Sequence, residues 1–187
     1  MDTHLTMSEL LGELIREGSS PQDHGRLEMI VCRPDIGQRL VLKRAELDTI
    51  DGLVGDNWRA RGSRHTDDGS AHPEMQIAIM NSRIIQAVAR DRSRWSLAGD
   101  QLFIDLDLSF ENLPTGQRIA IGTVVLEITP YMHHGCKKFT ERFGHDAIRF
   151  VNAPEARAQR RRGVYARVAQ PGTICVGDDV SKIGTEH

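Results

Sequence analysis

From Leu27 onward the sequence breaks into short apolar runs, and each run ends at turn chemistry. LEMIVC (Leu27 to Cys32) stops at Arg33-Pro34, and RLVLKRA (Arg39 to Ala45) follows the Gly37 turn. MQIAIM (Met75 to Met80) alternates. So does LFIDLDL (Leu102 to Leu108), in which Leu102, Ile104, Leu106 and Leu108 share one face. RIAI (Arg118 to Ile121), VVLEIT (Val124 to Thr129), VYARVA (Val164 to Ala169) and TICV (Thr173 to Val176) complete the series. Pro114-Thr115-Gly116, Gly122, Pro171-Gly172 and Gly177-Asp178 separate them. Runs this short are too brief for core helices, and their close spacing predicts a mainly β chain, a barrel or a sandwich.

Helical periodicity is confined to three places. Met7, Leu10, Leu11, Leu14 and Ile15 fall on one helix face; Thr6 and Glu9 have capping-box spacing, Leu5 and Leu10 can staple across the cap, and Gly18 stops the helix. A short helix follows Asn81, with Ile84, Ile85 and Val88 on one side. Another runs from about Thr140 to Phe150, with Phe143, Ala147 and Phe150 inward. The chain divides into an N-terminal helix and linker, residues 1–24, and a β body, residues 25–187. The N-terminal helix carries no chemistry. It packs on the body or on a second subunit, so a homodimer is one expectation.

Charge and cysteine usage exclude several functions. The net charge of −2 lacks the basic excess that a general nucleic-acid binder needs to neutralise phosphates. No apolar run approaches the roughly 20 residues that span a bilayer, and the N-terminus has no basic start followed by an apolar core. Cys32, Cys136 and Cys175 are an odd number at wide spacing, which reads as reduced thiols in a cytoplasmic protein. Cys32 and Cys175 lie inside apolar strand runs, where filling a core is the better explanation.

Cys136 is different. It follows the VVLEIT run in TPYMHHGCKKFTERFGHDAIRFVN (Thr129 to Asn152), with His133, His134, Lys137, Lys138 and Arg142 around it. Gly135 lets the backbone bend tightly just before the sulfur. Nearby positive charge favours the thiolate, which is both nucleophile and metal ligand. The alternative is a small apolar filler beneath a solvated charged surface, since free cysteines are usually buried and inert. His133 and His134 can tune the thiolate, donate protons or hydrogen-bond a cofactor oxygen, or simply be polar residues at a strand end. A zinc site of His133, His134, Cys136 and His145 matches no compact zinc spacing.

The run containing Arg157, Arg160, Arg161, Arg162 and Arg167 offers guanidinium groups that match phosphate oxygens, or a solvated basic face. Arg162 and Arg167 are the better phosphate-clamp candidates, because Arg162 starts a strand beside Gly163 and Arg167 lies inside it. Lys137, Lys138 and Arg142 rank behind them. Asp56, Asp100 and Asp178 each follow glycine and read as turn formers. Asp56 has the best case for lining a pocket, because it leads the long polar stretch from Gly52 to Pro73. Such long loops are functional flaps or mobile excursions.

Several segments, in order, resemble the MOSC domain, named for the C-terminal domain of molybdenum-cofactor sulfurase. They are Gly55-Asp56 after a β run, Ala98-Gly99-Asp100-Gln101-Leu102, and Leu113-Pro114-Thr115-Gly116 before RIAIG. The lone cysteine of HHGC follows VVLEIT, and Arg162-Gly163-Val164-Tyr165-Ala166-Arg167-Val168, Pro171-Gly172 and Gly177-Asp178 close the chain. The resemblance extends over about Leu27 to Ile183. It implies a MOSC-type β-barrel and a function around the molybdenum cofactor, a pterin dithiolene that holds molybdenum and carries a phosphate.

In that family the cysteine matching Cys136 is regarded either as a protein ligand to molybdenum or as a carrier of sulfane sulfur. The resemblance therefore implies Cys136 as catalytic residue and metal ligand, with Arg162, Arg167, His133, His134, Lys137 and Asp56 as cofactor-binding candidates. Some relatives reduce N-hydroxylated bases and amidoximes by this means; here electrons would come from a separate partner. The implied activity here is a small reductase of N-oxygenated substrates, or a sulfur-carrier or cofactor-delivery module that serves another enzyme. Trp58 stands where members often carry a histidine after the Gly-Asp pair, so no role passes to His65 or His72. The sulfurases carry a pyridoxal-phosphate desulfurase domain ahead of MOSC. This chain has no room for one, so no pyridoxal phosphate is expected.

Overall fold

The computed structural model describes residues 4–184; the outer ends of the two expected segments, residues 1–3 and 185–187, lie outside the described residues. In chain order the elements are α1 (Met7–Glu17), β1 (His24–Cys32), β2 (Leu40–Leu42), β3 (Arg44–Asp48), β4 (Gly52–Leu53), α2 (Trp58–Arg61), β5 (Ile77–Asn81), α3 (Ser82–Ala89) and β6 (Leu102–Asp105). They continue as β7 (Arg118–Ile121), β8 (Val124–Ile128), α4 (Lys137–Phe143), α5 (His145–Asn152), α6 (Pro154–Ala158), β9 (Val164–Gln170), β10 (Gly172–Cys175) and β11 (Asp179–Ile183).

Seven strands close into a barrel in the order β11-β7-β8-β9-β5-β6-β1, sealed by β1 against β11 with Gly25 opposite Val180. Closure leaves no free edge within the ring. β2 hangs on β1, and β10, β3 and β4 form a small second sheet. β5 and β6 pair in parallel, with Ile79 opposite Leu102, whereas the other barrel pairs are antiparallel. A parallel pair needs a crossover. Here α3 and a 3-10 segment, Arg92–Ala98, supply it. Asn81 caps α3 by accepting from the Arg83 and Ile84 amides.

Two cores result. Leu27, Ile79, Leu102, Ile104, Leu126 and Ala166 fill the barrel interior. Met29, Val31, Met80 and Phe103 point outward under a layer of helices, where they meet Leu10, Ile85, Phe139 and Phe150. Strand alternation is therefore apolar on both faces wherever helices cover the barrel. The capping box at Thr6 is present, and α1 lies on α3 and α5 with Leu10 buried. Leu11 and Ile15 stay exposed. The helix expected from Thr140 to Phe150 is two helices, because Gly144, at φ 93°, breaks it.

Candidate active-site cleft

The cleft is built around the strap that leaves β8. Thr129 anchors the strap's start, its amide donating to the Tyr165 carbonyl at 3.0 Å and its hydroxyl to the Glu74 carbonyl at 2.6 Å. Among the described residues no backbone hydrogen bond holds Tyr131 to His134. At Gly135 the strap is pinned again, its amide donating to Asn152 Oδ1 at 3.0 Å. Gly135 is not there for a tight bend: it has no positive φ, and a Cβ would overlap Ile148 Cδ1 on α5. Glycine here lets the strap pass close to α5, against the end of the Ile148 side chain. Cys136 then starts α4, its carbonyl accepting from the Phe139 and Thr140 amides. It is solvent-exposed and not disulfide-bonded.

Cys136 lines a cleft of about 820 Å³ that opens to solvent. Six basic side chains share that lining: Arg33, Arg39, Arg61, Lys138, Arg142 and Arg162. They form two tiers. The inner tier, Arg33 and Arg162, is buried and neutralised. Arg33 donates from Nε and Nη2 to the Asp56 carboxylate at 2.8 and 2.7 Å, and from Nη1 to the Gly99 carbonyl. Arg162 donates from Nη1 to both oxygens of Asp100 at 2.9 Å, and from Nη2 to the Ala98 carbonyl. The two guanidinium groups thus grip consecutive carbonyls of one turn.

Each pair is made by a Gly-Asp step. Gly55 (φ 87°) and Gly99 (φ 92°) occupy the left-handed region that favours glycine. The aspartate after each then faces an arginine inside the fold. Asp56 also caps the Trp58 amide. Asp178, after Gly177, instead accepts from the Cys175 amide and acts as a turn former. Gln101 continues the Asp100 turn, its side chain bonding the backbone of Ala78 in β5 and of Gln76 just before it.

The outer tier is Arg39, Arg61, Lys138 and Arg142. Among the described residues none of these has a carboxylate partner. Lys138 and Arg142 are one turn apart on α4, so they share a face toward the cleft. Arg39 is held below the usual guanidinium range, first by burial and then by the like charges of Arg142 and Arg33; its Nε is buried without a partner. Four cations around one mouth in a chain of net charge −2 concentrate positive potential there.

His133 and Tyr165 form the floor. The His133 side chain is 7% exposed, and its Nδ1 sits 3.5 Å from Asp100 Oδ1 without a hydrogen bond. Burial, then Arg162, Arg33 and His134, push its pKa well below the ordinary histidine value, so the ring is neutral at neutral pH. Its ring lies 4.2 Å from that of Tyr165, at 34°.

Several expected residues lie elsewhere. Arg167 is not in the cleft; it is exposed on the outer face of β9 and paired with Glu127. Lys137 is exposed on the far side of α4, 3.9 Å from Glu141. Asp56 does not face the cleft directly but holds Arg33 there. His134 lines a separate small pocket behind the strap, with Arg157 and Asn152; His133 and Arg162 line both. The arginine run disperses: Arg160 lies over Phe110 at 3.7 Å, and Arg161 over Phe150 at 4.7 Å. His145 is exposed at the start of α5, and among the described residues no group of three His, Cys, Asp or Glu side chains could hold a metal ion. Sequence reading missed Arg33, Arg39, Arg61 and Tyr165. The Arg33-Pro34 strand end, the Asp100 turn, the Gly52–Pro73 stretch that contains Arg61 and the Arg162–Val168 segment that contains Tyr165 were the signals.

The ordered constellation of Asp100, Cys136 and Arg162 falls within a stretch, residues 66–181, that matches the MOSC domain family model. The chain belongs to the MOSC domain family. The matched stretch begins ahead of β5 and ends in β11; Arg33 and Asp56 precede it. No curated protein sequence matches this MOSC protein. Solved structures do. The YUAD protein from Bacillus subtilis is 13% identical, with a TM-score of 0.64 over 87% of this chain and 97% of that one. YiiM from Escherichia coli is 15% identical, with a TM-score of 0.55 over 86% of this chain and 71% of that one. YiiM from Geobacillus stearothermophilus is 14% identical, with a TM-score of 0.54 over 86% and 75%. At such identities the likeness is one of fold.

Proposed function

We propose that the cleft holds the molybdenum cofactor and that the chain reduces N-hydroxylated or related N-oxygenated substrates there. The observation that carries this reading is the meeting of Cys136 with four cations lacking carboxylate partners in one open cleft. The donor set fits the group. A cysteine sulfur suits molybdenum, and guanidinium and ammonium groups suit a phosphate. Cys136 would hold the metal, and Arg39, Arg61, Lys138 and Arg142 the anionic tail. When bound, the cofactor supplies two-electron chemistry.

The chain's own contribution is a stiff frame. Arg33 and Arg162, clamped to Asp56 and Asp100, keep the inner wall in one geometry and offer no free charge there. Neutral His133 and Tyr165 close the floor. Electrons come from a separate donor, since the sequence has no flavin or iron–sulfur motif. We place the protein in the cytoplasm, where thiols such as Cys32, Cys136 and Cys175 stay reduced.

The exposure of Cys136 favours a second reading, a module that carries sulfane sulfur as a persulfide to another enzyme. Protein from cofactor-replete cells, assayed with a chemical reductant on an amidoxime, separates the two. The first reading expects turnover that Cys136→Ser abolishes. No turnover, together with a mass gain of one sulfur atom on Cys136, would replace it with the second.

A further inference from the structure

We infer that Tyr165 is a further catalytic residue of this cleft, giving a hydrogen bond from its phenolic O–H to the oxygen of the bound N-oxygenated substrate; the inference rests on the reductase reading above. On β9, Val164, Ala166 and Val168 turn into the barrel, so Tyr165 turns out of it and lines the cleft with Cys136. Its ring is held from two sides. His133 packs against it at 4.2 Å, and Tyr131 meets it edge-on at 6.1 Å. Tyr131 is in turn backed by His72 at 4.7 Å. A ring so fixed presents its hydroxyl in a set direction.

That hydroxyl is uncommitted. Among the described residues it makes no hydrogen bond, and it is not one of the fully buried unpartnered atoms, so it opens onto the cleft. Of the neighbouring guanidinium groups, Arg33 is used on Asp56 and Gly99, and the two terminal nitrogens of Arg162 are used on Asp100 and Ala98, its Nε being buried without a partner. His133 Nδ1 faces Asp100. Burial raises the phenol, Asp100 adds to this, and Arg162, Arg33 and Arg61 oppose it; the net value is about 12, so the O–H is kept. Tyr165 is thus a neutral, positioned and free donor in the cleft that Cys136 lines.

Reduction of R–NH–OH breaks the N–O bond. Nitrogen gains two electrons, here from a reduced flavin-class donor protein, and two protons from solvent convert the fragments to R–NH2 and water. Negative charge grows on the departing oxygen. A fixed donor aimed at that oxygen lowers the barrier more than it tightens ground-state binding.

The test is Tyr165→Phe, which removes one oxygen and keeps the ring. Both proteins are loaded with cofactor, and molybdenum content and Tm are expected to match wild type. Turnover of benzamidoxime is expected to fall about 100-fold in kcat with little change in KM. Without reductant, benzamidoxime binding is expected to weaken about fivefold, while benzamidine, which lacks the oxygen, binds both proteins equally. Turnover in Tyr165→Phe at the wild-type rate, or equal loss for both ligands, overturns this role alone. Wild-type protein that holds molybdenum yet reduces no N-oxygenated substrate overturns the reductase reading, and this role with it.

Discussion

Arg162 Nη1 lies 2.9 Å from both carboxylate oxygens of Asp100, and neither side chain is more than 6% exposed. A buried pair contributes little net stability, but breaking it strands a charge. Asp100→Ala is therefore expected to cost about 3–5 kcal/mol, read from the midpoint of urea unfolding. Asp100→Leu combined with Arg162→Met should recover most of that loss. A single variant as stable as wild type would mean that water reaches the guanidinium.

The outer cations predict a trade between stability and binding. Arg39→Gln relieves like-charge crowding with Arg142 and Arg33 around a half-buried guanidinium. Its unfolding midpoint is expected to equal or exceed wild type. Its affinity for inorganic pyrophosphate, measured by calorimetry at fixed ionic strength, should fall about tenfold. Unchanged affinity would remove Arg39 from the anion site.

Gly135 predicts a packing defect. Gly135→Ala drives a methyl into Ile148 Cδ1 and crowds Asn152, which holds the strap. The expected loss is about 1–3 kcal/mol, with Ile148→Ala in the same chain restoring part of it. Thermal unfolding of wild type and the two variants checks this.

His133 predicts a pH dependence. Its folded pKa lies below the unfolded value of 6.5. Above 6.5 both states are neutral and its contribution is fully present. Below it the unfolded chain takes up a proton that the folded chain refuses, so stability falls until the folded pKa is reached. Between pH 7.5 and 5.5 the stability carried by this one residue is therefore expected to fall. Urea midpoints measured at pH 7.5 and 5.5 should fall further for wild type than for His133→Phe; an equal fall in both would contradict it.

The barrel was legible because most of its strands alternate locally. RIAI is β7, and VVLEI within VVLEIT is β8. β11, which closes the barrel, was not read. Only Val180 in it is fully buried, so DVSKI carries no alternation to detect. The inner pairs were hidden for another reason. Arg33 and Asp56 are 23 residues apart, Asp100 and Arg162 are 62, and no periodicity links such positions. Arg160 and Arg161 looked like surface charges because sequence does not reveal a guanidinium laid on an aromatic ring and a backbone carbonyl. Cys136 could be located in a loop after a strand. Which cations share its cleft depends on how α4, α2 and the β1–β2 turn meet in space.

The most direct measurement is the molybdenum and pterin content of protein purified anaerobically from cofactor-replete cells, wild type beside Cys136→Ala. The account predicts near-stoichiometric molybdenum in the wild type and its loss in the variant, with Tm barely changed. No molybdenum in either protein, or equal molybdenum in both, would contradict a cofactor site built on that sulfur.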